Sequence, residues 1–276
     1  MQPKPNALAG RLKRGKGEIG LTSGAARTYH HTGENLSDRF GGNRLQQQGD
    51  SLVGGAIGAI TRHIRAHDLM PGDRLPSEAA LSRELNVSRS VVREAFRSLA
   101  AMQIIELATG KRATVAQIDH GAMGLMIEHG VHTDQISIQQ IYDVRRTIET
   151  RIVTLAALRR TEDEAAAINA RAAAMRASMG DEAALMEHDI AFHAALAQAS
   201  RNPVFALLVG AFQGITRQTW PPGWRSRTTD EAREVMIATH EGIAAAVAAG
   251  DPARADTLMA VHFDESVRAL LTAGMA

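Results

Sequence analysis

From residue 136 to residue 276 apolar residues recur at spacings of three and four, and no stretch alternates. That pattern supports helices and leaves no strand from which to build a sheet, so this half of the chain must close on itself as an all-α bundle. The periodicity predicts helices over 137–159, 162–178, 182–200, 203–218, 230–249 and 252–272. Thr161-Glu162-Asp163-Glu164, Gly180-Asp181 and Gly250-Asp251-Pro252 punctuate them. Composition agrees: 45% of residues are apolar but 4% are aromatic, so the core is built from aliphatic side chains. The absence of Cys excludes disulfides, thiolate metal sites and Cys nucleophiles, and fits a reducing cytoplasm. No apolar run is long enough to span a bilayer, so no membrane partner is expected.

The formal net charge of +1 conceals a gradient. Residues 1–48 sum to +5, residues 49–116 to +2 and residues 117–276 to −6. A basic front and an acidic back imply different partners. Residues 1–48 are Gly-rich, polar and without period, and read as a disordered basic arm.

Residues 49–117 read as a winged helix-turn-helix. Leu52, Ala56, Ile57, Ile60 and Ile64 share one face of a helix starting near Ser51 and ending at Met70-Pro71-Gly72-Asp73. Gly54, Gly55 and Gly58 are not a phosphate loop, because no Gly-Lys-Ser/Thr follows. Ser77 and Ser88 each precede a short apolar-faced run and are placed to cap a helix. The two helices meet at Asn86-Val87-Ser88. Ile104–Leu107 and Arg112–Val115, turned at Thr109-Gly110, form a wing. Residues 118–135 read as a linker, partly helical, and residues 136–276 as the bundle.

The outward face of the second short helix carries Ser88, Arg89, Ser90, Arg93 and Arg97, with the three arginines in one stripe. A helix fits the major groove, and an Arg fork reaches guanine O6 and N7 or a phosphate. Gly110-Lys111-Arg112 at the wing tip can meet backbone phosphates or a minor groove. Elsewhere such a stripe is a solvated basic face; here its place in the motif favours double-stranded DNA. Two-fold symmetry would supply specificity, so a homodimer on an inverted-repeat operator is expected.

In the bundle, Asp189 and His193 share a helix face, and His240 and His262 lie on the apolar faces of two later helices. Such residues are either hydrogen-bonded core side chains or ligands for a divalent transition metal. Arg145 shares an inward stripe with Ile141, Ile148 and Ile152, and a buried Arg needs an anion. Its partner is either Glu149, one turn on, or a carboxylate effector. Trp220-Pro221-Pro222-Gly223-Trp224 reads as a loop capping the bundle, with no chemistry assigned.

Leu75-Pro76-Ser77-Glu78, Leu81-Ser82, Val87-Ser88-Arg89, Val92-Arg93-Glu94-Ala95 and Leu99 resemble the winged helix-turn-helix of the GntR regulators. The resemblance implies DNA contacts from the second and third helices and the wing tip, here Ser88, Arg89, Arg93 and the wing around Gly110; Ser77, at the start of the first short helix, is a further candidate contact. Ala79 departs from it, standing where relatives often carry a long polar or Arg side chain. Asp189-x-x-Phe192-His193, His240-Glu241-Gly242-Ile243, Gly250-Asp251 and the final His262 resemble the FCD effector domain of the FadR subfamily. That resemblance implies a metal held by Asp189, His193, His240 and His262, zinc first with nickel or manganese as alternatives, and an early Arg facing the ligand cavity, here Arg145. The expected function is a transcriptional regulator switched by a small organic or sugar acid. Two other readings remain: a metal-dependent hydrolase fused to a DNA-binding module, and a regulator whose metal is only structural. No metalloprotease-like His-Glu-x-x-His supports the hydrolase.

Overall fold

The computed structural model describes residues 42–275, with side chains from residue 52 onward. The first part comprises α1 (Gly42–Ala66), α2 (Glu78–Glu84), α3 (Arg89–Ala101), β1 (Ile105–Glu106) and β2 (Thr114–Val115). Residues 1–41 of the expected arm lie outside the described residues. Its end, residues 42–48, is the start of α1, which therefore begins earlier than Ser51. Gln46, Gln47 and Gln48 are unbranched and lose little rotamer freedom in a helix, so nothing local stops α1 from extending back.

Ser77 caps α2 by accepting from the Ala80 amide at 3.2 Å, and Ser88 caps α3 by accepting from Val91 at 3.3 Å. The turn between them is made by Asn86 at φ 52°, a left-handed conformation Asn tolerates. Val92, Ala95, Phe96 and Leu99 of α3 pack on Ile60, Leu75, Leu81 and Ile105 to form one small core. The wing is antiparallel, Ile105 facing Val115 and Glu106 facing Thr114, and Arg74 extends it through a bridge to Thr114. At the wing tip Gly110 takes φ 73°.

The second part is helical throughout: α4 (Gly121–His132), α5 (Ile138–Arg159), α6 (Glu162–Ala177), α7 (Glu182–Ala199), α8 (Pro203–Ala211), α9 (Gln213–Arg225), α10 (Asp230–Ala248) and α11 (Pro252–Thr272). Capping boxes at Ser137/Gln140 and Thr161/Glu164 start α5 and α6, and Asp181 and Asp251 cap α7 and α11. Helix α5 lies against α7 and α11, and α10 against α6 and α11, around a core that includes Ile152, Ile168, Met175, Phe192 and Phe263.

The helical part of residues 118–135 is α4, which packs on α8 and α9, with Ile127, Val131 and Ile136 against Ile141, Phe212 and Ile215. A further expectation is corrected. Residues 203–218 are not one helix: the chain breaks at Phe212, and α9 then runs through Trp220-Pro221-Pro222-Gly223-Trp224. Pro221 and Pro222 remove two amide donors from the helix. The two Trp rings, one turn apart, stack at 5.4 Å, Trp224 is buried, and the Arg233 guanidinium lies 5.2 Å from its ring. This packing holds the helix through both prolines.

Candidate metal centre and nucleic-acid interface

Asp189 and His193 stand one turn apart on α7, His240 projects from α10 and His262 from α11, and all four are buried. Nδ1 of His240 donates to the Met236 carbonyl at 2.8 Å, and Nδ1 of His193 faces the Glu149 carboxylate at 2.5 Å. With both Nδ1 atoms serving as donors, each Nε2 presents a lone pair. Both Nε2 atoms are buried; that of His193 has no partner, and that of His240 makes no aligned hydrogen bond and faces only the Asp189 carboxylate. Buried polar atoms without partners are rare and mark a missing ligand or ion.

The ligand atoms of His193, His240 and His262 all lie within 4.8 Å of one another. Asp189 is not within that group but adjoins it, its Oδ1 2.8 Å from Nε2 of His240. Two ligands at right angles on one ion, each about 2.1 Å away, are roughly 3 Å apart, so this contact suits a shared metal. Burial, reinforced by His240, His193, Arg145 and Arg227, pushes His262 well below its usual range and keeps it in the neutral, ligating form. Burial alone would raise the Asp189 carboxyl. The neighbouring His240, His193 and Arg145 outweigh that and keep it ionised. The donor set therefore fits a divalent transition metal.

Arg145 is buried and paired with Glu149, Nε to Oε1 at 2.8 Å, and its Nη1 donates to Thr216 at 3.0 Å. Tyr142 and Phe263 hold the guanidinium between their rings at 5.3 and 5.2 Å. Of the two partners expected for Arg145, Glu149 is thus present. The Glu149 carboxyl, which burial would raise, is held below its ordinary range by Arg145 and His193. Arg145 also lines a small cavity, of ≈ 40 Å³, with Asp189, His193 and His262. Tyr142 and Thr219 share a hydrogen bond of 3.0 Å in its wall. The sequence marks Glu149, behind the cavity wall, only as a charge partner and not as support for His193, and it leaves two residues of the cavity itself without a role. Trp220 was placed in a loop. Arg227 lies beyond the end of α9, where no periodicity marks it.

On the other part, Ser77, Glu78, Arg93, Arg97, Lys111 and Arg112 line one groove between the start of α2, α3 and the wing. Arg89, Ser90, Arg93 and Arg97 are exposed, as are Gly110 and Lys111. Arg93 is held by Glu78, with Nε and Nη2 both 3.2 Å from Oε2, and Arg97 lies 3.6 Å from Glu94. Arg89 has no ion-pair partner among the described residues. The hydroxyls of Ser88 and Ser90 are 2.7 Å apart.

An exposed arginine helix beside a wing, joined to a helical domain with a buried polar cavity, defines a DNA-binding transcriptional regulator. Residues 53–115 match the bacterial regulatory proteins of the gntR family, and residues 140–265 match the FCD domain. The HTH-type transcriptional regulator LutR of Bacillus subtilis is 31% identical over 206 residues, covering 72% of this chain and 92% of the relative. The galactonate operon transcriptional repressor of Escherichia coli is 33% identical over 161 residues, covering 56% of this chain and 69% of the relative. A solved structure, Streptococcus agalactiae GntR, shares the fold with a TM-score of 0.57 at 22% identity, over 78% of this chain and 98% of that one. The chain belongs to the gntR family of bacterial regulatory proteins and carries an FCD domain. This family consists of regulators rather than enzymes, so the hydrolase reading is set aside. Among the described residues no helix is long and apolar enough to cross a membrane.

Proposed function

We propose that this regulator binds an inverted-repeat operator as a homodimer in the cytoplasm, and that a small organic or sugar acid bound in the FCD cavity switches it. In this reading Arg89, Arg93 and Arg97, with Ser88 and Ser90, enter the major groove. Ser77, Gly110 and Lys111 meet the backbone beside it. The DNA-binding unit extends from α1 through the wing, and α4 belongs with the effector unit.

A divalent metal, zinc first and nickel or manganese next, is held by His193, His240 and His262 with Asp189 beside them. When bound, it offers a Lewis-acidic position for an acid's oxygens. Arg145, oriented by Glu149 and Thr216, turns its remaining Nη2 edge to the effector. One observation carries the reading: unpartnered imidazole nitrogens and two guanidinium side chains line or adjoin a single buried cavity. The name of the galactonate repressor is consistent with a sugar-acid ligand.

A thermal-shift screen of organic and sugar acids on zinc-loaded protein tests this, followed by gel shifts on the DNA upstream of its own gene. A ligand at about 100 times its Kd adds roughly 2.7 kcal/mol of stability. An acid that stabilises the protein and alters operator binding is the expected result. Operator binding indifferent to every acid, with metal still bound, would favour a purely structural metal.

A further inference from the structure

The cavity holds a positive charge that the protein does not balance. Arg145 is matched by Glu149 at 2.8 Å. Arg227 lines the same cavity, yet no carboxylate among the described residues comes within 4.0 Å of it. The two acids whose charges reach it are turned elsewhere: Asp189 to His240 at 2.8 Å, and Glu265 to Arg268 at 3.2 Å. Nη1 of Arg227 donates to the Gly223 carbonyl at 2.6 Å, which anchors the side chain across the turn after α9 and leaves its other donors unassigned. Burial lowers the guanidinium's proton affinity, an effect Asp189, Glu265 and Tyr142 only partly offset.

The geometry then constrains the ligand. Two anion-accepting positions face the cavity: the histidine cluster, where a divalent ion would sit beside Asp189, and the partly exposed Arg227 guanidinium, which has no carboxylate of its own. A monocarboxylate can meet only one of them. We propose that the effector is a small dicarboxylic acid, with one carboxylate held by Arg227 and the other directed to the histidine cluster. The inference rests on the acid-sensing function above and narrows its ligand class. Arg227, rather than Arg145, then supplies the guanidinium that discriminates diacids from monoacids.

Calorimetry on the zinc-loaded full-length protein decides it, using matched acids that differ by one terminal carboxylate: butyrate and succinate, lactate and malate, galactonate and galactarate. In at least one pair the diacid should bind about tenfold or more tightly than its monoacid, the worth of one charge-assisted contact. Arg227→Gln should abolish that preference, weakening the diacid far more than its monoacid. Arg227→Lys, which keeps the charge but not the planar fork, should weaken the preference without abolishing it. The lysine variant alone carries the test if the glutamine variant does not fold. Equal affinities within every pair, or a preference that survives both substitutions, overturns the role of Arg227 and leaves acid sensing standing. No binding of any acid overturns both.

Discussion

One carboxylate serves two partners in the core: Oε1 of Glu149 accepts from Nε of Arg145 at 2.8 Å, and Oε2 stands 2.5 Å from Nδ1 of His193. Glu149 therefore joins α5 to α7, neutralises the buried guanidinium and selects the His193 tautomer that leaves Nε2 free. Carboxylates behind ligating histidines orient the ring and raise its basicity. We expect Glu149→Gln to weaken zinc binding about 10- to 100-fold in a chelator competition titration. Glu149→Ala should also leave Arg145 buried without a counter-charge, lowering stability by about 3–5 kcal/mol in chemical denaturation. Wild-type metal affinity in Glu149→Gln would remove Glu149 from the support of the site.

The three histidines come from α7, α10 and α11, so an ion among them ties together helices that are distant in sequence. Metal should therefore stabilise the folded state, by roughly 2.7 kcal/mol when free metal is about 100 times its Kd. His193→Ala and His240→Ala should each abolish that increment, and Asp189→Ala should reduce it. Metal analysis of tag-free protein and melting curves with and without chelator measure this. An identical melting temperature with zinc, nickel, manganese or chelator would count against the site.

Why some of this was legible in the sequence and some was not follows from the residues. Helices α5, α6, α7, α10 and α11 begin at side-chain caps, which mark their starts within a residue or two. Helix α4 has no side-chain cap and contains Gly121, Gly124 and Gly130, so it read as a linker. Two of those glycines serve packing: a Cβ on Gly124 would lie 3.3 Å from the Ala211 carbonyl oxygen, and one on Gly130 would lie 2.6 Å from the Ile136 side chain. Helix α9 was hidden by Pro221 and Pro222, whose usual meaning is a break. Asp189, His193, His240 and His262 were visible because polar residues on apolar stripes stand out. Arg227 lies on no stripe, and only the folded chain brings it to the cavity.

An exposed network links α6 to α10: Arg176 bridges Glu234, at 2.7 Å, and Glu241. The paired Arg176 holds the Glu241 carboxyl below its ordinary value of 4.5. The unfolded chain then takes up the proton first as pH falls, so the pair's contribution is full above about 4.5 and is lost as pH drops through the depressed value. Exposed pairs are weak and screened by salt. Arg176→Gln should lower stability slightly at neutral pH and low salt, and reduce the loss between neutral pH and the acid range. Urea titrations at several pH and salt values check this. A variant whose pH profile parallels the wild type would show that the bridge contributes nothing.

On the DNA face, Glu78 holds Arg93 through two contacts of 3.2 Å, whereas Arg89 carries no acidic partner among the described residues. The two arginines should therefore respond differently. If Arg89 is bidentate to a guanine, Arg89→Ala should cost about 1–3 kcal/mol and relax one base position. Arg93 must first leave Glu78, and the same carboxylate lies in the groove where phosphates would approach. Glu78→Gln should thus strengthen binding to operator and non-operator DNA alike, with Arg93→Ala in the Glu78→Gln background costing more than in the wild type. Lys111→Ala at the wing tip should weaken all sequences uniformly and make the salt dependence shallower by about one unit of slope. Gel shifts across salt concentrations, with the operator and single-base variants, separate these outcomes. Unchanged operator affinity in both Arg89→Ala and Arg93→Ala would mean that α3 is not the helix that reads the bases.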